Sequence, residues 1–410
     1  MNTAPHRLSA HALFAALLSA AGLPIYIHAP KFYVDEFGVS LASLGIVLFG
    51  LRLFDVVQDP LLGRLSEVLR SRRGLAVLLG TAVMALGMFG LFAVTPPVTP
   101  VLWFALMLTL VFSAFSFLTI NFYAQGVLTS EQLSGDGHLK LARWRETGAL
   151  LGVCVAAIAP VMLGGAMARP FAGFAVGFAV LALCAVIAMR GEWRAGSVVA
   201  GTGLRAVLGD LLARRLLLIA LVNAAPVAVS STLFLFFVET RLQAPGTEGA
   251  LLLLFFLSAA VSAPFWGIAA ERFGIKRVLL SAMVLAIAAF GGALLLGPGD
   301  WILFAFICVA SGATMGADLT LLPALFARRM AVISPSAAEG FGLWSFVSKF
   351  TLAFAAVLLL PALERAGFQS GSSTNPERAL VMLSLFYAGI PCALKLVAIG
   401  LLATTQIRET

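Results

Sequence analysis

Residues 51–63 read LRLFDVVQDPLLG and place Arg52, Asp55 and Asp59 in an otherwise apolar stretch. At about 100° per residue these three positions fall within roughly a 60° arc of one helix face. A charge at mid-membrane costs about 2.5–3.5 kcal/mol on insertion scales, so such a face belongs against a cavity or a partner and not against lipid. Two carboxylates one turn apart, partly balanced by one guanidinium, supply hard oxygen ligands and a surplus negative charge. That chemistry suits sodium, lithium or a proton. The same residues also admit a structural reading, in which Arg52 pairs with Asp55 while Asp59, just before Pro60, serves a local bend. Lys349 adds an ammonium about eleven residues into another apolar span, where it needs a carboxylate or a substrate anion opposite; Asp55 and Asp59 are its candidate partners. Snorkelling to the interface suits Lys395, nearer the end of the last span. Asp318 either lines a cavity or pairs with Arg328 or Arg329.

The chain that must position these groups is 61% hydrophobic and 11% charged, with a mean hydropathy of +1.02. Those values lie outside the soluble globular range and mark an integral membrane protein. Runs of about 20 apolar residues suffice to cross a bilayer. Twelve occur, near residues 8–34, 41–66, 74–95, 100–127, 143–165, 169–190, 214–240, 248–271, 276–297, 300–326, 338–363 and 378–403. The first lacks a basic leader and a clear cleavage site and reads as a retained span. Arginine and lysine collect at Arg64 to Arg73, Arg190 to Arg215, Arg272 to Arg277 and Arg328–Arg329, which predicts that these loops and both termini are cytoplasmic in an inner membrane. The net charge of +8 therefore reflects topology and makes no case for nucleic-acid binding. Cys154, Cys184, Cys308 and Cys392 stand singly in different spans, suggesting neither a disulfide framework nor a metal site. The four histidines, His6, His11, His28 and His138, read as terminal or loop-proximal.

A polar break at residues 191–215 divides the spans six and six, giving an amino-terminal bundle over 1–190, a central loop over 191–213 and a carboxyl-terminal bundle over 214–410. Sliding one half over the other by 204 residues gives a gap-free match in which FYVDEFG falls on FFVETRL, Pro60 on Pro264, Gly63 on Gly267 and Glu67 on Glu271. Two related six-helix halves describe an alternating-access carrier of the major facilitator type: an all-α membrane protein of twelve transmembrane helices in two pseudo-symmetric bundles. The alignment also shows an asymmetry, since Arg52, Asp55 and Asp59 fall on Phe256, Ala259 and Ala263. Shared helix packing would need the charges in both halves, so the asymmetry favours a function in the first.

RLFDVVQDPLLGRLSEVLRSRRG resembles the helix-two signature R-x-x-D-A-x-x-D-P-x-x-G of the glycoside-pentoside-hexuronide:cation symporters, the melibiose permease family. GADLTLLPALFARRMAVISPSAAEGFGLWSFVSKFTLAFA, from residue 316, resembles the helix-ten to helix-eleven region of that family. The resemblance implies a cation-coupled symporter, with Asp55 and Asp59 as ligands of a monovalent cation (sodium or a proton, with lithium a further candidate), no other metal or cofactor, and Lys349 in the same polar centre. It also implies sugar transport as the default, but the family's sugar-gripping acids are missing. Leu18 and Ser19 stand where relatives carry a lysine-aspartate pair, and Thr119 where they carry an aspartate. A pyranoside is held through hydroxyl–carboxylate hydrogen bonds, and losing those acceptors costs several kcal/mol of binding. The expected substrate is therefore a small solute other than a galactoside, with a sodium-coupled lysolipid or amphiphile as the alternative. The family's helix-five arginine corresponds to Arg143, with Trp144 and Arg145 beside it. Asn121, Tyr123, Gln125 and Trp344 are further candidates for a cavity wall.

GRLSEVLRSRRG at 63 and GIAAERFGIKR at 267 resemble the loop that facilitators carry after their second and eighth helices. They nominate Gly63, Glu67, Arg72, Arg73, Gly267, Glu271, Lys276 and Arg277 as a cytoplasmic gate. A membrane-embedded enzyme or a receptor finds no support, because no H-E-x-x-H, G-x-S-x-G, Walker motif or signalling domain is present. The expected partners are the solute and the lipid bilayer, with the chain acting as a monomer.

Overall fold

The computed structural model describes residues 8–133, 136–164, 166–193, 203–333, 338–368 and 375–407. The middle of the central loop, including Ser197, and both chain ends with His6 lie outside the described residues. The rest is helical, with no strand among the described residues: α1 (Leu8–Ala20), α2 (Leu23–Phe37), α3 (Leu41–Val68), α4 (Arg73–Phe92), α5 (Pro100–Ser130), α6 (Gly137–Gly164), α7 (Pro170–Met189), the short α8 (Gly203–Gly209), α9 (Leu211–Phe236), α10 (Glu248–Phe273), α11 (Ile275–Gly291), α12 (Trp301–Ile333), α13 (Ala338–Arg365), α14 (Glu377–Ser384) and α15 (Ile390–Thr404). Nine helices are long and apolar enough to cross a membrane among the described residues. At 1.5 Å per residue, the 28 residues of α3 and of α13 each reach roughly 42 Å.

The first span is not the single helix its hydropathy predicts. It breaks at Gly22, and α2 begins with Pro24 in its first turn. Proline supplies no N–H and is well placed at a helix start, so the chain re-initiates there. The backbone stays paired across the break, with Gly22 N–H donating to Ser19 O at 3.1 Å and Ile25 N–H to Gly22 O at 3.1 Å, as an apolar surrounding demands. Gly38 ends α2 in the left-handed region at φ 63°, and Ser40 caps α3 by accepting from Ser43 N–H at 3.2 Å.

The chain forms two compact units: residues 1–210 with 327–346, and residues 211–326 with 347–410. In the first, α1 lies on α6 at very short range. A Cβ on Gly148 would sit 2.1 Å from Ala12 O, and one on Gly152 2.4 Å from Ala16 O. Gly148-x-x-x-Gly152 against Ala12-x-x-x-Ala16 is the small-residue seam that lets membrane helices touch backbone to backbone. In the second unit α12 uses Gly312 and Gly316 in the same way, against Phe255 O and Ala259 O of α10. The internal repeat persists in the aromatic packing. Tyr33 of the first unit packs on Phe104 with ring centroids 4.9 Å apart, and Phe237, its counterpart at an offset of 204, packs on Phe304 at 5.4 Å.

Candidate functional site

Helix α3 is two-faced. Phe54, Val57, Leu61, Leu65 and Val68 are exposed, whereas Asp55, Gln58, Asp59 and Ser66 are buried. Exposed apolar side chains at i, i+3 and i+4 spacing form a stripe suited to lipid, and the polar groups take the opposite side. Asp55 is 2% exposed and Asp59 0%, so both sequence-nominated carboxylates are withdrawn from lipid.

Neighbouring side chains hold them in place. Gln58 Nε2 donates to Asp55 Oδ1 at 2.7 Å, and Ser113 of α5 donates through Oγ to Gln58 Oε1 at 2.8 Å. Arg52 stands 3.9 Å from Asp55 Oδ2, an ion-pair distance too long for a hydrogen bond. Ser345 of α13 donates through Oγ to Asp59 Oδ2 at 2.7 Å. The approach of α13 is set by glycines. A Cβ on Gly342 would meet Asp59 O at 3.2 Å and Gly63 Cα at 3.3 Å, so α3 and α13 cross almost backbone to backbone. Gly63, nominated for the gate, therefore also helps to bring the Asp59 region together. The result is two buried carboxyl groups, Asp55 bonded by the Gln58 amide and Asp59 by the Ser345 hydroxyl, with the Ser113 hydroxyl one bond further out on Gln58. Carboxyl, amide and hydroxyl oxygens are hard ligands of the kind monovalent cations use.

Gln58, Ser113 and Ser345 were not picked out from sequence. Gln58 was legible as the residue one turn after Asp55, and Ser345 as the residue one turn before Lys349. Ser113 had no sequence signal, since a serine in an apolar helix usually bonds its own backbone. Lys349 is half-buried on α13, one turn beyond Ser345 in the sequence, and Trp344 of the same helix is half-buried too.

Deeper along the first unit lies a second polar chain. Ser66 Oγ donates to Asn121 Oδ1 at 2.8 Å, and Arg73, only 2% exposed, donates to Gln125 Oε1 at 3.2 Å. Arg145 carries the strongest features of its segment. It is 6% exposed, donates to Glu146 Oε1 at 2.7 Å and lies 3.9 Å over the Tyr123 ring, while Tyr123 OH donates to the same Glu146 oxygen at 3.3 Å. The sequence nominated Arg143, which is half-buried one turn from Thr147, whose hydroxyl donates to Arg143 O. Ser19 is half-buried at the end of α1, and Thr119 has a buried Oγ1 that no hydrogen-bond partner reaches among the described residues.

Two expectations need correction, for Lys395 and for two of the histidines, and one open alternative, for Asp318, is decided. Lys395 does not snorkel: it is 6% exposed, and its ammonium pairs with Asp318 and donates to Asn223 Oδ1 at 2.7 Å. A buried carboxylate and amide in reach outweigh the route to the interface. Asp318 therefore lines a cavity in the second unit and is not the partner of Arg328 or Arg329. Arg328 pairs with Asp136 and Arg329 with Asp210, the latter through Nε at 2.9 Å. Two histidines are not loop-proximal either, since His11 is 0% exposed against Phe122 and His28 bonds Ala157 O at 2.8 Å.

The nominated gate residues are divided between the two units. Glu67 pairs with Arg70 at 2.8 Å, Arg73 is tied to Gln125, and Lys276 caps the end of α15 through Ala403 O and Thr405 O at 2.9 and 2.8 Å. Arg72, Glu271 and Arg277 are exposed and Gly267 is buried in α10.

Repeated bundles of membrane-crossing helices, with charges buried inside them, define a secondary transporter of major facilitator architecture. The sequence matches the family model described as MFS/sugar transport protein over residues 9–409, and the chain belongs to that family within the major facilitator superfamily. Among the solved structures that share the fold are two of a bacterial homologue of the iron transporter ferroportin in an outward-facing state, one of them with soaked iron. The first has a TM-score of 0.70 and the second 0.66; each is 14% identical to this chain, covering 97% of it and 99% of the solved chain. No curated protein matches the sequence.

Proposed function

We propose that this protein is a cation-coupled symporter of the melibiose permease-like type, moving a small solute across the inner membrane by alternating access, with Asp55 and Asp59 as the coupling-ion site. One observation carries the proposal. Two fully buried carboxylates, one turn apart on α3, accept hydrogen bonds from the Gln58 amide and the Ser345 hydroxyl, while their repeat counterparts Ala259 and Ala263 lie in a seam closed by Gly312 and Gly316. A pair kept only for helix packing would recur in both repeats. The long Arg52–Asp55 distance and the bond from Asp59 to a different helix also speak against a purely local role.

The coupling ion is sodium or a proton, with lithium as a further candidate. Reconstituted vesicles test this directly: an imposed sodium or proton gradient should drive solute accumulation, and uptake indifferent to both gradients would overturn the coupling. Leu18, 5% exposed, with Ser19 and Thr119 offers no carboxylate to galactoside hydroxyls. Cells lacking their own permease should therefore gain no measurable melibiose uptake from this protein, and robust cation-driven melibiose accumulation would refute that assignment.

The arginine distribution supports a cytoplasmic location for both termini and the central loop. A cysteine introduced near Ser197 should react with an impermeant thiol reagent only from the cytoplasmic side. Labelling confined to the outside would invert the topology and with it the gate assignment.

A further inference from the structure

The carboxyl-terminal repeat holds a polar centre of its own. Asp318 of α12 and Lys395 of α15 form a buried ion pair, and Asn223 of α9 accepts a second hydrogen bond from the lysine at 2.7 Å. The pair borders a cavity of about 70 Å³ whose walls include Phe255, Phe290, Ser311 and Thr314. At about 10–15 Å³ per water centre that space holds roughly five waters, the scale of a small solute. Two valences of the pair point to a ligand. Among the described residues no donor reaches the buried Asp318 Oδ1, and an ammonium has three N–H groups, of which Asn223 and Asp318 take two. The hydroxyls of Ser311 and Thr314 bond back to Ile307 O at 2.6 Å and Ser311 O at 2.8 Å, so they leave the orphaned carboxylate oxygen to something else.

We infer that this cavity binds a small zwitterion, a solute of the amino-acid or betaine type, with its anionic group on Lys395 and its cationic group on Asp318. The inference rests on the transport reading above and names the class of solute. A ligand of one sign would meet its like charge beside its counter-charge. A ligand carrying both signs exchanges one internal ion pair for two external ones, keeps the cavity neutral and gives Asp318 Oδ1 the donor it lacks. The aromatic walls add to this, since an ammonium against a phenyl face is attracted by the ring quadrupole. A zwitterionic lipid headgroup shares the chemistry, so free and lipid-borne forms must be compared.

The test is the melting temperature of the purified full-length protein titrated with glycine, glycine betaine and lysophosphatidylcholine, and with acetate, tetramethylammonium and glycerol as single-charge and neutral controls. We expect glycine or glycine betaine to raise it at concentrations about tenfold below any control. A response to lysophosphatidylcholine alone assigns the zwitterion to a lipid headgroup and overturns the small-solute form. The double variant Asp318→Asn with Lys395→Gln removes both charges together and avoids stranding one. It should melt as the wild type does without ligand and need about tenfold more zwitterion. Ala286→Phe, which fills the cavity and leaves both charges in place, should lose the response as well and serves if the double variant does not fold. Controls as potent as the zwitterions, or full potency in either variant, overturn the inference. A sodium response without any zwitterion response overturns it alone, whereas a zwitterion response without any sodium response overturns the coupling-ion reading alone.

Discussion

Replacing Asp55 or Asp59 by asparagine should abolish cation stimulation of solute binding while leaving the protein folded. Each substitution keeps side-chain size and an amide oxygen but removes one formal negative charge from a centre that is 2% and 0% exposed. An ion can promote solute binding only through a difference in its affinity for two states, and an ion that no longer binds shifts nothing. Coupling of this kind is typically worth about 1–3 kcal/mol, so the stimulation lost should be roughly 5- to 150-fold. Facilitated exchange of the solute can persist without accumulation. The structural alternative predicts otherwise: neutralising one partner of a buried pair costs about 3–5 kcal/mol and lowers expression and melting temperature before it touches coupling. Both quantities are to be measured on the same two variants. Normal melting with full cation stimulation would remove Asp55 and Asp59 from the site, and collapse of the fold would favour the structural reading. Ser345→Ala provides a milder probe, since it removes the 2.7 Å bond to Asp59 without changing any charge.

The second large effect is expected far from the charges. Gly148→Leu should prevent α1 from seating on α6, because the first added carbon would lie 2.1 Å from Ala12 O, and Gly152→Leu should do likewise at 2.4 Å from Ala16 O. In both cases the obstacle is backbone and cannot rotate away. Overpacking of this kind costs about 1–3 kcal/mol where side chains can adjust and more where they cannot. Loss of the folded monomer on size-exclusion chromatography, or a melting temperature lower by about ten degrees, is the expected result. A Gly148→Leu protein with wild-type melting would show that the seam does not carry the packing assigned to it. Gly177→Leu provides the contrast: nothing lies within 4 Å of its added Cβ, and it should be tolerated.

Several features were determined by the sequence alone, because they depend on properties that act along the chain. Apolar runs of bilayer length locate the spans whatever they pack against, and an offset of 204 residues exposes the repeat without coordinates. Helical periodicity puts Arg52, Asp55 and Asp59 on one face because 3.6 residues per turn is a local rule. Other features depended on which helices meet. The break at Gly22 is written in glycine and proline, yet hydropathy averages over it and reads a single span. Ser113 and Ser345 join the acidic centre only because α5 and α13 lie beside α3. Lys395 and Asp318 are 77 residues apart, and no periodicity or charge pattern links two residues on different helices. A buried charge in a membrane must find a partner, and the sequence states that need, whereas helix packing alone selects which partner answers it.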